Sequence, residues 1–252
     1  MILPRKIVWN NSGLWLFLLA VLLFSCQSIN QNRTELGIPQ SVVYLSFDDG
    51  PNAYGDTTAR LLDVLKKYHV RATFCLLGEN AEKNPGLVRR IYDEGHIIIN
   101  HGYSDNWAYR MDEDEFRDNL ARGEKAISGA LGFDMNPKLY RPQGGFYTHE
   151  QEEILKETGY TLVPVTIRVY DAVTDGKKQS EVVRKVIDKT VKEGGGIILL
   201  HDARDSQSGM ELELAKNPDG PFNRSWIPGA VEEIIAALLE RGFQFKMVPE
   251  SL

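Results

Sequence analysis

Only two cysteines occur in 252 residues, and they do not form a Cys-x-x-Cys pair. That scarcity excludes a scaffold stapled by several disulfides and a thiolate zinc knuckle. Clusters of Lys and Arg are missing as well. The formal net charge is −6, and it becomes −8 when residues 1–25, which carry Arg5 and Lys6 and no acid, are set aside. An acidic body lacks the basic stripe that neutralises phosphates, so no nucleic acid is expected as a partner. No apolar run approaches the ~20 residues of a membrane-spanning helix. The longest, Leu14 to Phe24, has 11 residues. No internal repeat is visible, which excludes a solenoid or propeller. What remains is ordinary globular composition, 42% hydrophobic and 25% charged, in a chain long enough for a large core.

Arg5 and Lys6 precede the apolar run as the charged region of an export signal does. The run ends in Leu23-Phe24-Ser25-Cys26, which resembles the lipobox of bacterial lipoproteins. That resemblance implies a lipid on Cys26, a membrane anchor and an envelope location. Phe24 is bulkier than usual at its position, which keeps ordinary signal cleavage and an uncleaved anchor as alternatives. Residues 26–40 are polar and aperiodic, as a tether is, and residues 41–250 form the domain. Cys75 sits inside an apolar run and reads as a small buried hydrophobe.

Within the domain, β-branched and aromatic runs alternate with amphipathic stretches. Strands are expected at Val42–Leu45, Ala72–Leu77, His96–Asn100, Lys138–Arg141, Tyr160–Val165, Gly196–Leu200 and Phe243–Val248. Helices are expected between them, including one opened by Asp112 and closed by Gly132. Such alternation means a parallel sheet or barrel wrapped by helices, with its ligand site at the carboxyl ends of the strands. The ionisable clusters fall there. Asp48-Asp49, His101 to Asp105, Arg141, Asp171 and His201-Asp202 each follow an apolar strand. Two adjacent carboxylates repel, and both stay ionised only if a cation shares the site. An Asp-Asp-Gly-Pro turn in water explains one such cluster but not five.

Ser46-Phe-Asp-Asp-Gly-Pro51, Ala72-Thr-Phe-Cys-Leu-Leu-Gly78, Arg141-Pro142 and Leu199-Leu-His201 occur in the order, and with the wording, of the polysaccharide deacetylase family. The chain resembles that family, with its NodB-type domain, over about residues 41–248. The resemblance implies an α/β fold, a distorted (β/α) barrel in one domain. It implies removal of N- or O-linked acetyl groups from a polysaccharide such as peptidoglycan, a chitin-like glycan or an acetylated hemicellulose. By the same resemblance Asp48 is the general base, Arg141 its partner, His201 the general acid and Asp171 the residue that orients it. Asp49, His101 and Asp105 hold one divalent metal ion. Backbone N–H groups of Gly144 or Gly145 receive the oxyanion. The same resemblance puts Pro142, Phe146 and Leu199 beside the substrate, while Tyr103, between the two proposed ligands, is a candidate for the sugar cleft and equally for packing.

Two departures from the family pattern matter. Asp105 stands where the family has a second His, so the ligand set carries two negative charges instead of one. Its Lewis acidity should be weaker, and oxygen ligation widens the choice from Zn²⁺ towards Mn²⁺, Co²⁺ or Ni²⁺. The spacing of His101 and Asp105 suggests one side of a helical turn. Ala172 stands where the family has Trp, which alters the acetyl pocket. Ala203 to Ile227 reads as a long polar loop in which Phe222 and Trp226 are candidates for stacking on a sugar, or equally as a surface loop with a buried Trp. His69, His96 and His149 read as surface or locally bonded residues. The competing reading is a catalytically impaired, glycan-binding lipoprotein, motivated by Asp105 and Ala172.

Overall fold

The computed structural model describes residues 26–28, 31–205 and 207–248. The proposed signal segment, residues 1–25, lies outside them. The elements run β1 (Cys26–Ser28), β2 (Val42–Asp48), α1 (Thr57–Lys67), β3 (Thr73–Leu76), α2 (Gly78–Lys83), α3 (Pro85–Asp93), β4 (Ile97–Asn100) and α4 (Glu113–Leu131). They continue with β5 (Leu139–Tyr140), β6 (Phe146–Thr148), α5 (His149–Glu157), β7 (Thr161–Leu162), β8 (Ile167–Arg168), α6 (Gln179–Glu193), β9 (Gly195–His201), α7 (Gln207–Lys216), α8 (Ile227–Glu240) and β10 (Gln244–Phe245).

β2 is the centre of the sheet because all seven of its residues are buried and it finds partners on both edges. β9 pairs along its whole length, β3 along its carboxyl end and β10 along its amino end, all parallel. The sheet order is β7-β5-β4-β3-β2-β9-β8. Laid flat, seven strands at ~4.8 Å would be roughly 29 Å wide. Yet β7 and β8, on opposite edges, are joined only by residues 163–166, and five peptide links reach at most about 18 Å. The sheet must curl until its edges face each other, which gives the open, distorted barrel. Tyr160–Val165 is therefore not one strand. Pro164 has no N–H for a ladder, so pairing stops and the chain crosses the gap.

Helix α4 starts at a capping box in which Asp112 accepts from the Glu115 N–H (2.9 Å) and Glu115 accepts from the Asp112 N–H (3.1 Å). It stops at Gly132, whose φ of +84° suits a residue without Cβ. Phe47, Phe74, Leu62, Ile127, Ile198 and Ile234 belong to the largest apolar cluster. Burying such side chains is worth about 1.5–3 kcal/mol each, which anchors the strands that carry the site.

Three expectations are corrected here. Phe243–Val248 pairs only at Gln244 and Phe245. The stretch Ala203–Ile227 is not an open loop, since α7 lies within it and packs Met210 and Leu214 against Ala203 and Phe222. Residues 26–28 and 31–40 do not hang free. β1 pairs antiparallel with β6, the Gln31 N–H donates to Val165 O (3.0 Å), Arg33 Nε donates to Glu193 O (2.7 Å), and Ile38 is buried. Backbone pairing of this kind needs no apolar periodicity, so the sequence could not reveal it. Among the described residues no helix is long and apolar enough to cross a membrane.

Candidate active site

The register of the sheet gathers the ionisable clusters. Asp48 lies beside Cys75 of β3 and His201 of β9, and Asn100, next to His101, pairs with Tyr140, next to Arg141. Just past β2 the chain turns at Asp49, whose φ is +73°, a left-handed conformation that short polar side chains tolerate.

Arg141 is fully buried. Its Nη1 donates to Asp48 Oδ1 (2.7 Å) and to Ser46 Oγ (2.9 Å), and its other nitrogens reach the carbonyls of Val163 and Pro164 (both 3.3 Å). Burial alone would raise the Asp48 pKa, but the charges of Arg141, His101 and His201, with a bond from the Cys75 thiol, hold it at about 2. Asp48 is thus an ionised carboxylate with one oxygen committed to Arg141 and the other turned towards His101.

His101 Nδ1 lies 2.7 Å from Arg141 O. A carbonyl only accepts, so Nδ1 carries a proton and Nε2 is the nitrogen that faces the cleft. Nε2 is 3.4 Å from Asp49 Oδ1 and 3.8 Å from Asp48 Oδ2. Burial opposes a charge on this ring, but Asp48, Asp49 and Asp105 together draw its pKa above the ordinary value. Asp105 is pushed up to about 7 by burial and by Asp49. Residues 103–105 form bends, and the expected helical turn from His101 to Asp105 is absent because Gly102 adopts φ +78°. Both side chains nevertheless face the cleft. Among the described residues no three Asp, Glu, His or Cys side chains form a closed metal cage. In kind, however, the donors fit a divalent cation. Two carboxylates without a Lys or Arg partner and an imidazole Nε2 form a negative cluster that a cation would neutralise.

His201 is held by Asp171. Its Nδ1 lies 3.0 Å from Asp171 Oδ1, and its backbone N–H donates to Asp171 Oδ2 (2.9 Å). Burial works against the protonated ring, but Asp171, then Asp49 and Asp48, raise its pKa to about 9. Behind Asp171 stands Arg224, fully buried, whose Nη2 donates to Asp171 Oδ2 (2.6 Å) and to His201 O (3.0 Å) and whose Nη1 donates to Asp171 O (2.9 Å). Asp171 is lowered in spite of its burial by His201 and Arg224.

These groups line a cleft of about 350 Å³ that brings together Asp48, Asp49, His101, Asp105, Gly144, Gly145, Phe146, Leu199 and His201. A larger recess of about 700 Å³ beside Lys66, His69, Arg71 and Met247 gathers no comparable set of reacting groups. Arg141 and Asp171 stand behind the cleft wall as supports. Three expected substrate residues are elsewhere. The Tyr103 ring is covered by Arg122 at 3.7 Å and its hydroxyl lies 3.0 Å from Glu82. Pro142 is buried off the cleft. Trp226 packs against the main core and lies 4.8 Å from Arg224, at a separate recess with Gly176 and Lys177. The Gly145 N–H donates to Pro142 O (3.0 Å), so it is not available to an oxyanion. Phe222 is covered by Arg204 at 4.4 Å. His96 accepts from the Ala72 N–H (3.1 Å), a local bond as expected.

Sequence reasoning missed Trp107, Arg168 and Tyr170, which line the cleft, and Arg224, which supports it. Trp107 had a signal, since it stands two residues beyond Asp105. Arg224 had none.

The sequence model of the family described as polysaccharide deacetylase matches residues 37–163. A peptidoglycan-N-acetylglucosamine deacetylase of Bacillus cereus is 32% identical over 207 residues, which is 82% of this chain, and this chain spans 66% of that relative's length. A chitooligosaccharide deacetylase of a Bradyrhizobium species is 29% identical over 88% of this chain and 95% of its own. Among solved structures, a family 4 acetyl xylan esterase from Clostridium thermocellum, in complex with a cobalt ion, superposes with a TM-score of 0.64 at 28% identity, over 82% of this chain and 87% of that one.

Proposed function

Starting from a chain that belongs to the polysaccharide deacetylase family, we propose that it is a metal-dependent hydrolase that removes acetyl groups from an envelope polysaccharide. The observation that carries this reading is the pairing of opposite protonation states in one cleft, with Asp48 held at about 2 and His201 raised to about 9. At neutral pH one is a base and the other an acid. Asp48 Oδ2, the oxygen not bound to Arg141, takes the proton of the attacking water. His201 Nε2, aimed by the Asp171–Nδ1 bond, gives a proton to the departing amine or alkoxide. Arg141 and Arg224 fix the two carboxylates from behind, and Leu199 and Phe146 give the cleft its apolar lining. Asp49, His101 and Asp105 would hold a divalent ion, which would supply Lewis acidity for the hydrolysis. The substrate class extends by analogy from the glycans named for the relatives. Export and a lipid on Cys26 extend from the segment preceding the described residues.

Asp105, held near 7 and standing in place of a histidine, favours a second reading, a glycan-binding member without turnover. One experiment separates the two. Metal content is measured by elemental analysis on the purified wild type and on Asp49→Ala, alongside acetate release from N-acetylated oligosaccharides. Near-stoichiometric metal that disappears in the variant, with turnover lost together with it, supports the hydrolase. Glycan binding without metal or acetate release refutes it.

A further inference from the structure

Four arginines come near the cleft, and they are not alike. Arg141 and Arg224 are each tied to a buried aspartate, at 2.7 and 2.6 Å. Arg168, the last residue of β8, lines the cleft itself, yet no carboxylate reaches its guanidinium among the described residues. Its Nε is buried and has no hydrogen-bond acceptor there. The side chain as a whole is only partly buried, so the guanidinium keeps a face open to the cleft. A charged donor placed there without an acceptor is one that a ligand can complete.

The surrounding chain makes room for this side chain. At Gly145, with φ +79°, an added Cβ would overlap the Arg168 guanidinium, and at Gly144 it would lie 3.2 Å from the Trp107 ring. The glycine pair therefore sits between a cation and an aromatic ring that is 47% exposed. Arg204, also lining the cleft and stacked on Phe222, has no carboxylate partner among the described residues either. An aromatic face suits the apolar face of a sugar ring, and a planar guanidinium suits a carboxylate.

We infer that Arg168 forms a carboxylate-recognising subsite, so that this cleft selects a glycan whose acetylated amino sugars are accompanied by an acidic substituent, as in N-acetylmuramyl residues. The inference rests on the glycan reading above but not on turnover. The test uses N-acetylglucosamine–N-acetylmuramic acid oligosaccharides and the same oligosaccharides with their carboxyls reduced to alcohols. Binding to the wild type, Arg168→Gln and Arg168→Lys is followed by equilibrium titration, and acetate release is followed in parallel. The wild type should bind the acidic form about tenfold or more tightly than the reduced form, the order contributed by one charge-assisted hydrogen bond. Arg168→Gln should bind both forms equally, and Arg168→Lys should keep part of the preference. Retained binding of the reduced form by Arg168→Gln shows that the variant is folded. Equal binding of both forms by the wild type, binding of neither, or an undiminished preference in Arg168→Gln overturns the inference. Displacement of the oligosaccharide by an equal concentration of free acetate also overturns it, since Arg168 would then seat a simple anion. A preserved preference without acetate release would sink the hydrolase reading and leave this one standing.

Discussion

Replacing Arg141 by Met should be among the most damaging single changes, and the pair it belongs to predicts how the damage can be repaired. Arg141 and Asp48 are both buried and meet at 2.7 Å. Removing one partner of such a pair costs about 3–5 kcal/mol, because the other is left charged in a poor solvent. The Asp48 pKa gives an independent scale. Its fall from 3.8 to about 2 corresponds to roughly 2 kcal/mol of stability at neutral pH. The pKa is depressed in the folded state, so this contribution is complete above the unfolded value and is lost as the pH falls through about 2. Without Arg141 burial prevails and the carboxyl moves upward, away from the range of a base. Arg141→Met should therefore lower the melting temperature by roughly 6–20 °C and acetate release by ~10²–10⁴-fold. Adding Asp48→Asn should restore part of the stability while leaving activity absent, since the uncompensated charge is gone. Urea unfolding of the wild type, both single variants and the double variant at pH 7 and pH 3 measures this. A coupling of ~2 kcal/mol or more at pH 7 that shrinks at pH 3 is expected. Additive effects, or an Arg141→Met protein within 1 kcal/mol of the wild type, would refute the reasoning.

His201 titrates in the opposite sense. Its pKa is raised to about 9, so the roughly 3 kcal/mol it contributes is complete below 6.5 and is lost as the pH rises through about 9. Acetate release should fall over the same alkaline range, and Asp171→Asn should move that limb of the pH–rate profile downward. Arg224 competes with His201 for Asp171, so Arg224→Met should move the limb upward instead. The same variant should lose about 3–5 kcal/mol in urea unfolding, because Asp171 keeps only one cationic partner.

The parts of the site legible in the sequence share one physical property. Asp48, Asp49, His101 and His201 are polar residues directly after apolar strands, and in a parallel sheet strand ends converge wherever the strands are adjacent. Pattern alone therefore brought them together before any coordinate did. Tyr103 and Trp226 were misplaced for a related reason. Aromatic side chains near site residues in sequence are as well suited to packing, and here Arg122 and the core claim them. The strand expected at Tyr160–Val165 failed because only Thr161–Leu162 pairs within it, and past Pro164 the chain crosses to the opposite edge of the curled sheet, where Ile167–Arg168 pairs.

The arginines were illegible for a different reason. A sequence displays polarity, and an arginine in a polar stretch reads as solvated. Arg224 is buried because its guanidinium meets a carboxylate 53 residues away, and the segment between β9 and Arg224 is itself folded, with α7 packing Met210 and Leu214 against Ala203 and Phe222. Arg168 lies in the cleft wall because Gly145 leaves it room. What makes either residue functional is therefore the space and charge supplied by distant parts of the chain. For the same reason Ala172, a departure in the local motif, does not by itself condemn the site, because the partner that holds Asp171 beneath it comes from outside that motif.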